Sequence, residues 1–243
     1  MFDLDTVTRS SLAAQEVVPM TMTRQDTDAL RAFESLADPS ASVRLRAALA
    51  VGTAPHPRFV EGLVERSAVE PEFFVRDMLT WALTRHPVAA TLPPLVREVG
   101  SKLPQARSQA LHTLSKIGDR RAWPAVAGAA LSDADDEVAR SAWRAAVVLV
   151  PEGEEQALAR ALAPQLGRGD RETQLSLSRA LVALGESAGA VLEAAATTAP
   201  APHVRAHALA TRRLLRDPDS GFEAAIEEAK RVVALGGSGH EGP

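Results

Sequence analysis

The chain has 243 residues, 46% of them hydrophobic and 24% charged, the profile of a soluble, foldable protein. Basic residues number 27 and acidic 31, for a net charge of −4. The first 40 residues hold 7 acidic and 3 basic side chains, so the body behind them is balanced and lacks the basic excess typical of a dedicated nucleic-acid binder. There is no cysteine, which excludes disulfides and thiolate metal sites.

Residues 1–24 show little periodicity, and Pro19 breaks any early helix, so a weakly ordered arm is expected. The start is acidic and lacks an apolar run of signal-peptide length. No stretch approaches the roughly 18 apolar residues of a membrane span. A cytoplasmic, non-membrane protein is expected. The bias of 3 Lys against 24 Arg, with abundant Ala, resembles proteins of GC-rich bacteria.

Residues 23–37 then read as a helix with Leu30, Phe33, Leu36 and Ala37 on its apolar side, and Asp38-Pro39-Ser40 reads as a turn. From Val43 a short helical pattern begins that recurs at Val75, Ala106, Val138, Thr173 and Val204. The steps are 32, 31, 32, 35 and 31 residues. Between these repeated helices lie second helices, predicted near 57–68, 88–99, 121–131, 154–166 and 188–198, each with apolar residues three and four apart. Pro93–Pro94 and Pro164 fall inside second helices and predict a late start or a kink there, whereas Pro124 suits a first turn. Gly52, Gly118 and Gly185 follow repeated helices as C-terminal caps do. A last helix, 222–235, is charged on one side (Glu223, Glu227, Glu228, Lys230, Arg231), as a terminal cap needs, and residues 236–243 read as a flexible Gly-rich tail. No strand pattern is evident.

A period of this length signals a stacked array of like units, each burying its apolar face only against its neighbours. The runs Asp38-Pro39-Ser40-Ala41-Ser42-Val43-Arg44 with Ala47-Ala48-Leu49, and Ala201-Pro202-His203-Val204-Arg205 with Ala206-His207-Ala208-Leu209, resemble the D-P-x-x-x-V-R-x-x-A-A-x-x-L signature of HEAT-like repeats. These belong with the pigment-lyase-type HEAT and armadillo-like solenoids. The similarity covers roughly residues 25–235 and weakens at 173, where Gln174 replaces the motif arginine. It implies an all-α, right-handed superhelix of about six helical hairpins, with the repeated helices lining the concave side.

Arg44, Arg76, Arg107 and Arg205 share the second position of the pattern. A charged ladder facing a ligand is one reading. The resemblance favours a structural one, in which each arginine pairs with an acid or carbonyl of the adjacent turn, and Asp38 is the obvious partner for Arg44. The residues two and six after each first apolar position lie one turn apart and should face away from the partner helix. In the middle four repeats they form a polar-aromatic strip of Asp77, Trp81, Ser108, His112, Arg140, Arg144 and Arg179, the candidate binding surface. Trp81 stands out as a recognition anchor, while Trp143, one position off, should face the core. Arg140, Arg144 and Arg179 make a local positive patch suited to an acidic peptide, a phosphate or nucleic acid, which Asp133, Asp135, Asp136 and Glu137 partly neutralise.

No catalytic constellation rises above background. The six histidines show no metal-ligand spacing, His240-Glu241 is the only His-Glu pair of the kind used by iron hydroxylases of this fold, and no phosphate loop or serine elbow occurs. No cofactor or metal is expected. The expectation is a non-enzymatic repeat scaffold that binds a protein or peptide on its concave face. The alternative is a DNA-binding enzyme resembling alkylpurine-repair HEAT proteins, for which Asp77, Trp81, Arg140 and Arg144 supply residue types and which the acidic pI of about 5.9 disfavours. A chromophore lyase has only the repeat in its favour.

Overall fold

In a computed structural model, the structure describes residues 24–217 and 221–237. Residues 1–23 of the predicted arm 1–24, the tail residues 238–243 and the His240-Glu241 pair lie outside the described residues. Among the described residues the regular structure is entirely helical. Six helical pairs follow one another. They are α1 (Arg24–Glu34) with α2 (Ala41–Thr53), α3 (Val60–Val69) with α4 (Phe73–Arg85), and α5 (Val88–Glu98) with α6 (Pro104–Ile117). Then come α7 (Trp123–Val126) with α8 (Asp136–Leu149), α9 (Glu155–Leu162) with α10 (Arg171–Ala183), and α11 (Gly189–Thr198) with α12 (Pro202–Arg216). A final helix, α13 (Phe222–Gly237), follows.

The even-numbered helices carry the repeated pattern and touch in single file, α2 to α4 to α6 to α8 to α10 to α12. One apolar core runs without interruption from Ala29 to Ala208. Its members are mostly alanines and leucines at matched positions, such as Ala47, Leu79, Ala110, Ala142, Leu177 and Ala208. Small Ala side chains let helix axes approach to the ~8 Å end of the usual packing range. Trp143 is fully buried, as its position implied, and its indole Nε1–H donates to the Leu131 carbonyl at 2.8 Å. The fold is an α-solenoid.

Several local expectations change. Helix α5 is continuous through Pro93 and Pro94 with no late start. Two missing amides cost several kcal/mol in a free helix, by a figure of about 3 kcal/mol per proline, so burial of Thr91, Pro94 and Leu95 must hold it. The second helix predicted at 121–131 is instead a four-residue helix between two 3-10 turns, Arg120–Ala122 and Ala129–Ser132. Helix α9 ends at Leu162, and Pro164 sits in the 3-10 turn that follows. Gly118 and Gly185 take positive φ at helix ends. Gly52 does not cap: it lies inside α2, where the Trp81 ring covers it so closely that a Cβ would stand 2.4 Å from Cζ3. Gly236 and Gly237 extend α13 rather than opening a tail.

The arginine at the second repeat position proves to be a stitch. In all four cases its Nη1 donates to the carbonyls six and five residues earlier: Asp38 and Pro39 for Arg44, Glu70 and Pro71 for Arg76, Ser101 and Lys102 for Arg107, Ala199 and Pro200 for Arg205. The acid partner is not the Asp38 side chain, which instead accepts from the Ser40 amide. Arg44 makes a bidentate pair with Glu70, 2.7 Å on each side, in the turn before the next inner helix. Arg107 makes the same pair with Asp133 at 2.8 and 2.9 Å. Glu70 is 0% exposed and also accepts from Arg66 and from the Glu72 amide, while its own carbonyl receives Gln105. Burial pushes the Glu70 pKa up, and these donors outweigh it and hold the carboxyl at about 2.

Where the motif arginine is absent, other residues take its place. Ala139 stands at that position in α8, and Arg168 reaches back from the next turn to the Asp133 carbonyl and the Asp136 carboxylate. Gln174 makes a longer contact, 3.4 Å, to the Gly169 carbonyl.

Candidate functional site

Inner helices present their residues two, six and ten positions into the pattern along one side. On α6 these are Ser108, His112 and Lys116, on α8 Arg140, Arg144 and Val148, and on α10 Leu175, Arg179 and Ala183. Two adjoining hollows lie along this row. The first, about 460 Å³, is lined by Phe73, Asp77, Ser108, His112, Glu137 and Arg144 among others. The second, about 590 Å³, is lined by Lys116, Arg140, Val148, Glu172, Leu175 and Arg179 among others, and again by His112 and Arg144. The two hollows adjoin at His112 and Arg144, which line both, and together make a trough along the row.

Six of the seven strip residues predicted from the sequence therefore line this trough. Their environments differ. Ser108 is buried, 3% exposed, with its hydroxyl 3.1 Å from that of Ser141, so it forms floor rather than the open face expected of it. A small hydroxyl can be buried between close helices when a neighbouring hydroxyl satisfies it. Arg140 pairs with Glu137 and Glu172 at 3.5 and 3.2 Å, and its buried Nε has no partner. Arg144 donates to Ser141 Oγ at 3.0 Å and lies 3.5 Å from Glu137. Arg179 is exposed and makes no ion pair among the described residues. Trp81 lines neither hollow. It is 37% exposed and braced against Gly52 on the neighbouring helix.

Electrostatics differ along the trough. The larger hollow gathers Lys116, Arg140, Arg144 and Arg179 around Glu172, with Glu137 reaching Arg140 and Arg144 from the smaller one. The smaller one sets Arg76 and Arg144 against Asp77, Asp135 and Glu137. His112 sits at the join, where burial and then the positive fields of Arg144 and Lys116 lower its pKa against the opposing pull of Asp77. The imidazole is thus biased toward neutrality by a site that already holds excess positive charge.

Sequence reasoning missed several lining residues. Lys116, Val148 and Ala183 continue the same row one helical turn further, so extending the two-and-six spacing by four would have found them. Val148 is 48% exposed. Phe73 and Phe74, 64% and 74% exposed with ring centroids 5.5 Å apart, stand at the start of α4, and Phe73 borders the smaller hollow. They precede the repeated pattern, and nothing in its periodicity flags them.

The far end of the row is covered. On α12 the equivalent residues are Ala206, Ala210 and Leu214, and α13 lies on them with Phe222, Ala225, Ile226 and Ala229. This makes a second apolar cluster, which Leu175 and Val182 of α10 join at its edge. Beneath it His207 is fully buried: the Gly167 amide donates to Nδ1 at 2.8 Å, and Nε2 faces Ser178 Oγ at 2.9 Å and the Gln174 carbonyl at 3.1 Å. Since Nδ1 accepts, the proton rests on Nε2. Burial lowers the His207 pKa to about 4.

No curated protein matches the chain. Residues 75–147, which run from α4 to α8, match the family model described as HEAT repeats. Among the described residues no helix is long and apolar enough to cross a membrane. Single-file helical pairs continue on both sides of the matched segment, so the chain is an α-solenoid whose residues 75–147 are similar to HEAT repeats, which generally mediate protein interactions.

Proposed function

We propose that the chain is a non-enzymatic scaffold whose trough between His112 and Arg179 receives a protein or peptide partner. The observation that carries this reading is that the two hollows adjoin at His112 and Arg144, which makes a groove along four inner helices, α4 to α10. Stacked helices with a shared core are already ordered, so a partner meets a preorganised surface and less conformational entropy is lost on binding. The rims supply the usual anchors: Phe73 at one end, and arginines able to make forked hydrogen bonds to carboxylates at the other. The DNA-repair alternative asks Asp77, Trp81, Arg140 and Arg144 to surround one lesion. Asp77 and Arg140 line different hollows and Trp81 lines neither, so this reading gains no support from the geometry.

Photo-crosslinking tests the assignment. A benzophenone amino acid replacing Val148 should capture a partner in native extract, and the same probe replacing Glu65 on the outer helix α3 should not. Capture from Glu65 alone would contradict the assignment.

A further inference from the structure

The molecule already holds one helix on its inner row. Ala206, Ala210 and Leu214 of α12 stand at the second, sixth and tenth positions of the pattern, and α13 covers them. It does so with Phe222, Ala225, Ile226 and Ala229, an i, i+3, i+4, i+7 stripe. That contact is a cluster of its own, apart from the continuous core. The neighbouring rows on α8 and α10 carry Val148, Leu175 and Ala183 at equivalent or adjoining positions, and Val148 and Ala183 are exposed. Leu175 belongs to both surfaces, touching the α13 cluster and lining the larger hollow. The surface that accepts α13 therefore runs on into the trough. What changes along it is charge. Lys116, Arg140, Arg144 and Arg179 ring the larger hollow, with Glu172 in its lining and Glu137 beside Arg140 and Arg144, and Lys116 and Arg179 make no ion pair among the described residues.

Resting on the trough reading above, we infer that the partner's binding element is an acidic amphipathic helix, laid beside α13 with its apolar stripe on Val148 and Leu175 and its carboxylates facing Lys116, Arg144 and Arg179. The positive ground is short. Beyond His112 the lining turns to Asp77, Asp135 and Glu137. A nucleic-acid strand with a charge at every residue would run into those carboxylates, whereas a short helix of about ten residues, roughly 15 Å long, can keep its carboxylates on one face and end before them. Arginine forks match carboxylates on one helix face, and each pair formed also relieves the repulsion among the four cations.

The test uses the full chain and two fluorescently labelled, end-capped synthetic helical peptides that share the apolar spacing of α13. One carries glutamates and the other lysines on the remaining face. In fluorescence anisotropy the glutamate peptide should bind at least tenfold more tightly, and more weakly as salt rises. The double variant Lys116→Glu with Arg179→Glu, both exposed, should invert the preference while its melting curve stays unchanged. Equal affinity for the two peptides, or glutamate-peptide binding indifferent to the double variant, overturns the inference. A labelled single-stranded oligonucleotide that binds more tightly than the glutamate peptide also overturns it. Tight binding of the lysine peptide that crosslinks at Val148 overturns the acidic helix but leaves the trough as the binding surface. Binding of either peptide without contact at Val148 sinks both readings.

Discussion

The arginines of the turns and Arg140 of the trough stand one position apart in the repeat pattern, in different repeats, and they do opposite things. Arg44 and Arg107, at the second position of the pattern, rotate back toward the preceding turn and spend their donors on two carbonyls and a buried or part-buried carboxylate. Arg140, one position on, points into the groove with its Nε unpartnered. Arg144 and Arg179 lie four residues further along the same row. A step of one residue turns a side chain about 100° around a helix, which is enough to move an arginine from the turn into the trough, where Arg140 meets Glu137 and Glu172 and Arg179 makes no ion pair among the described residues. In one region the positive charge is neutralised within the fold, and in the other it is held in surplus. The contrast teaches that arginine content alone says nothing about binding: the helical phase of each arginine decides.

The comparison can be broken first at the stitches. Glu70→Ala removes the carboxylate shared by Arg44 and Arg66 and strands a buried guanidinium, a change that typically costs 3–5 kcal/mol, so about that loss is expected in urea unfolding. A loss below about 1 kcal/mol would show that the turn pairs are incidental.

Acid should expose a second buried site, at the other end of the molecule. His207 has a folded pKa near 4, below its ordinary 6.5. A lowered histidine favours the neutral form in the folded state, so its contribution is complete above pH 6.5 and fades as pH falls toward 4. The difference amounts to about 3 kcal/mol. Glu70, lowered to about 2 from 4.5, loses its contribution only below pH 4.5. Hydrogen exchange followed down the pH scale should loosen α12 and α13 before α2 to α4. The reverse order would refute the assignment. Replacing His207 by Gln should flatten the upper part of the pH profile.

A smaller effect is expected at Gly52. An added methyl would meet the Trp81 ring at 2.4 Å and the Ala82 backbone at 2.8 Å, so Gly52→Ala should cost roughly 1–3 kcal/mol by overpacking, with a shift in tryptophan emission. An unchanged spectrum and melt would mean the ring is not braced there. The smallest effect belongs to the trough: Arg179→Glu, exposed and without an ion pair among the described residues, should alter stability by no more than about 0.5 kcal/mol.

The period, the single-file stacking and the groove-facing row were legible because they depend on local spacing, which helix geometry converts directly into faces. The stitches were half legible. Their carbonyl acceptors lie five and six residues back and follow from the pattern, but the carboxylate lies 26 residues ahead in Glu70 or Asp133. That turn position carries Asp38, Glu70, Ser101, Asp133, Arg168 and Ala199 along the chain, so no residue type marks it. The folding of α13 onto α12 was hidden for another reason: its apolar stripe is the same whether a helix caps a stack or lies in its groove, and only the matching stripe of Ala206, Ala210 and Leu214 distinguishes the two. Ser108 read as polar surface because burial of a hydroxyl depends on Ser141, 33 residues away.

The central claim is that the turn arginines hold the solenoid and the trough arginines bind. It is tested most directly by titrating the glutamate-faced helical peptide into the Arg179→Glu chain, with that chain's melting curve recorded beside it. The account predicts at least tenfold weaker binding at an unchanged melting temperature. Undiminished binding, or a loss of binding that comes only with a loss of fold, would contradict it.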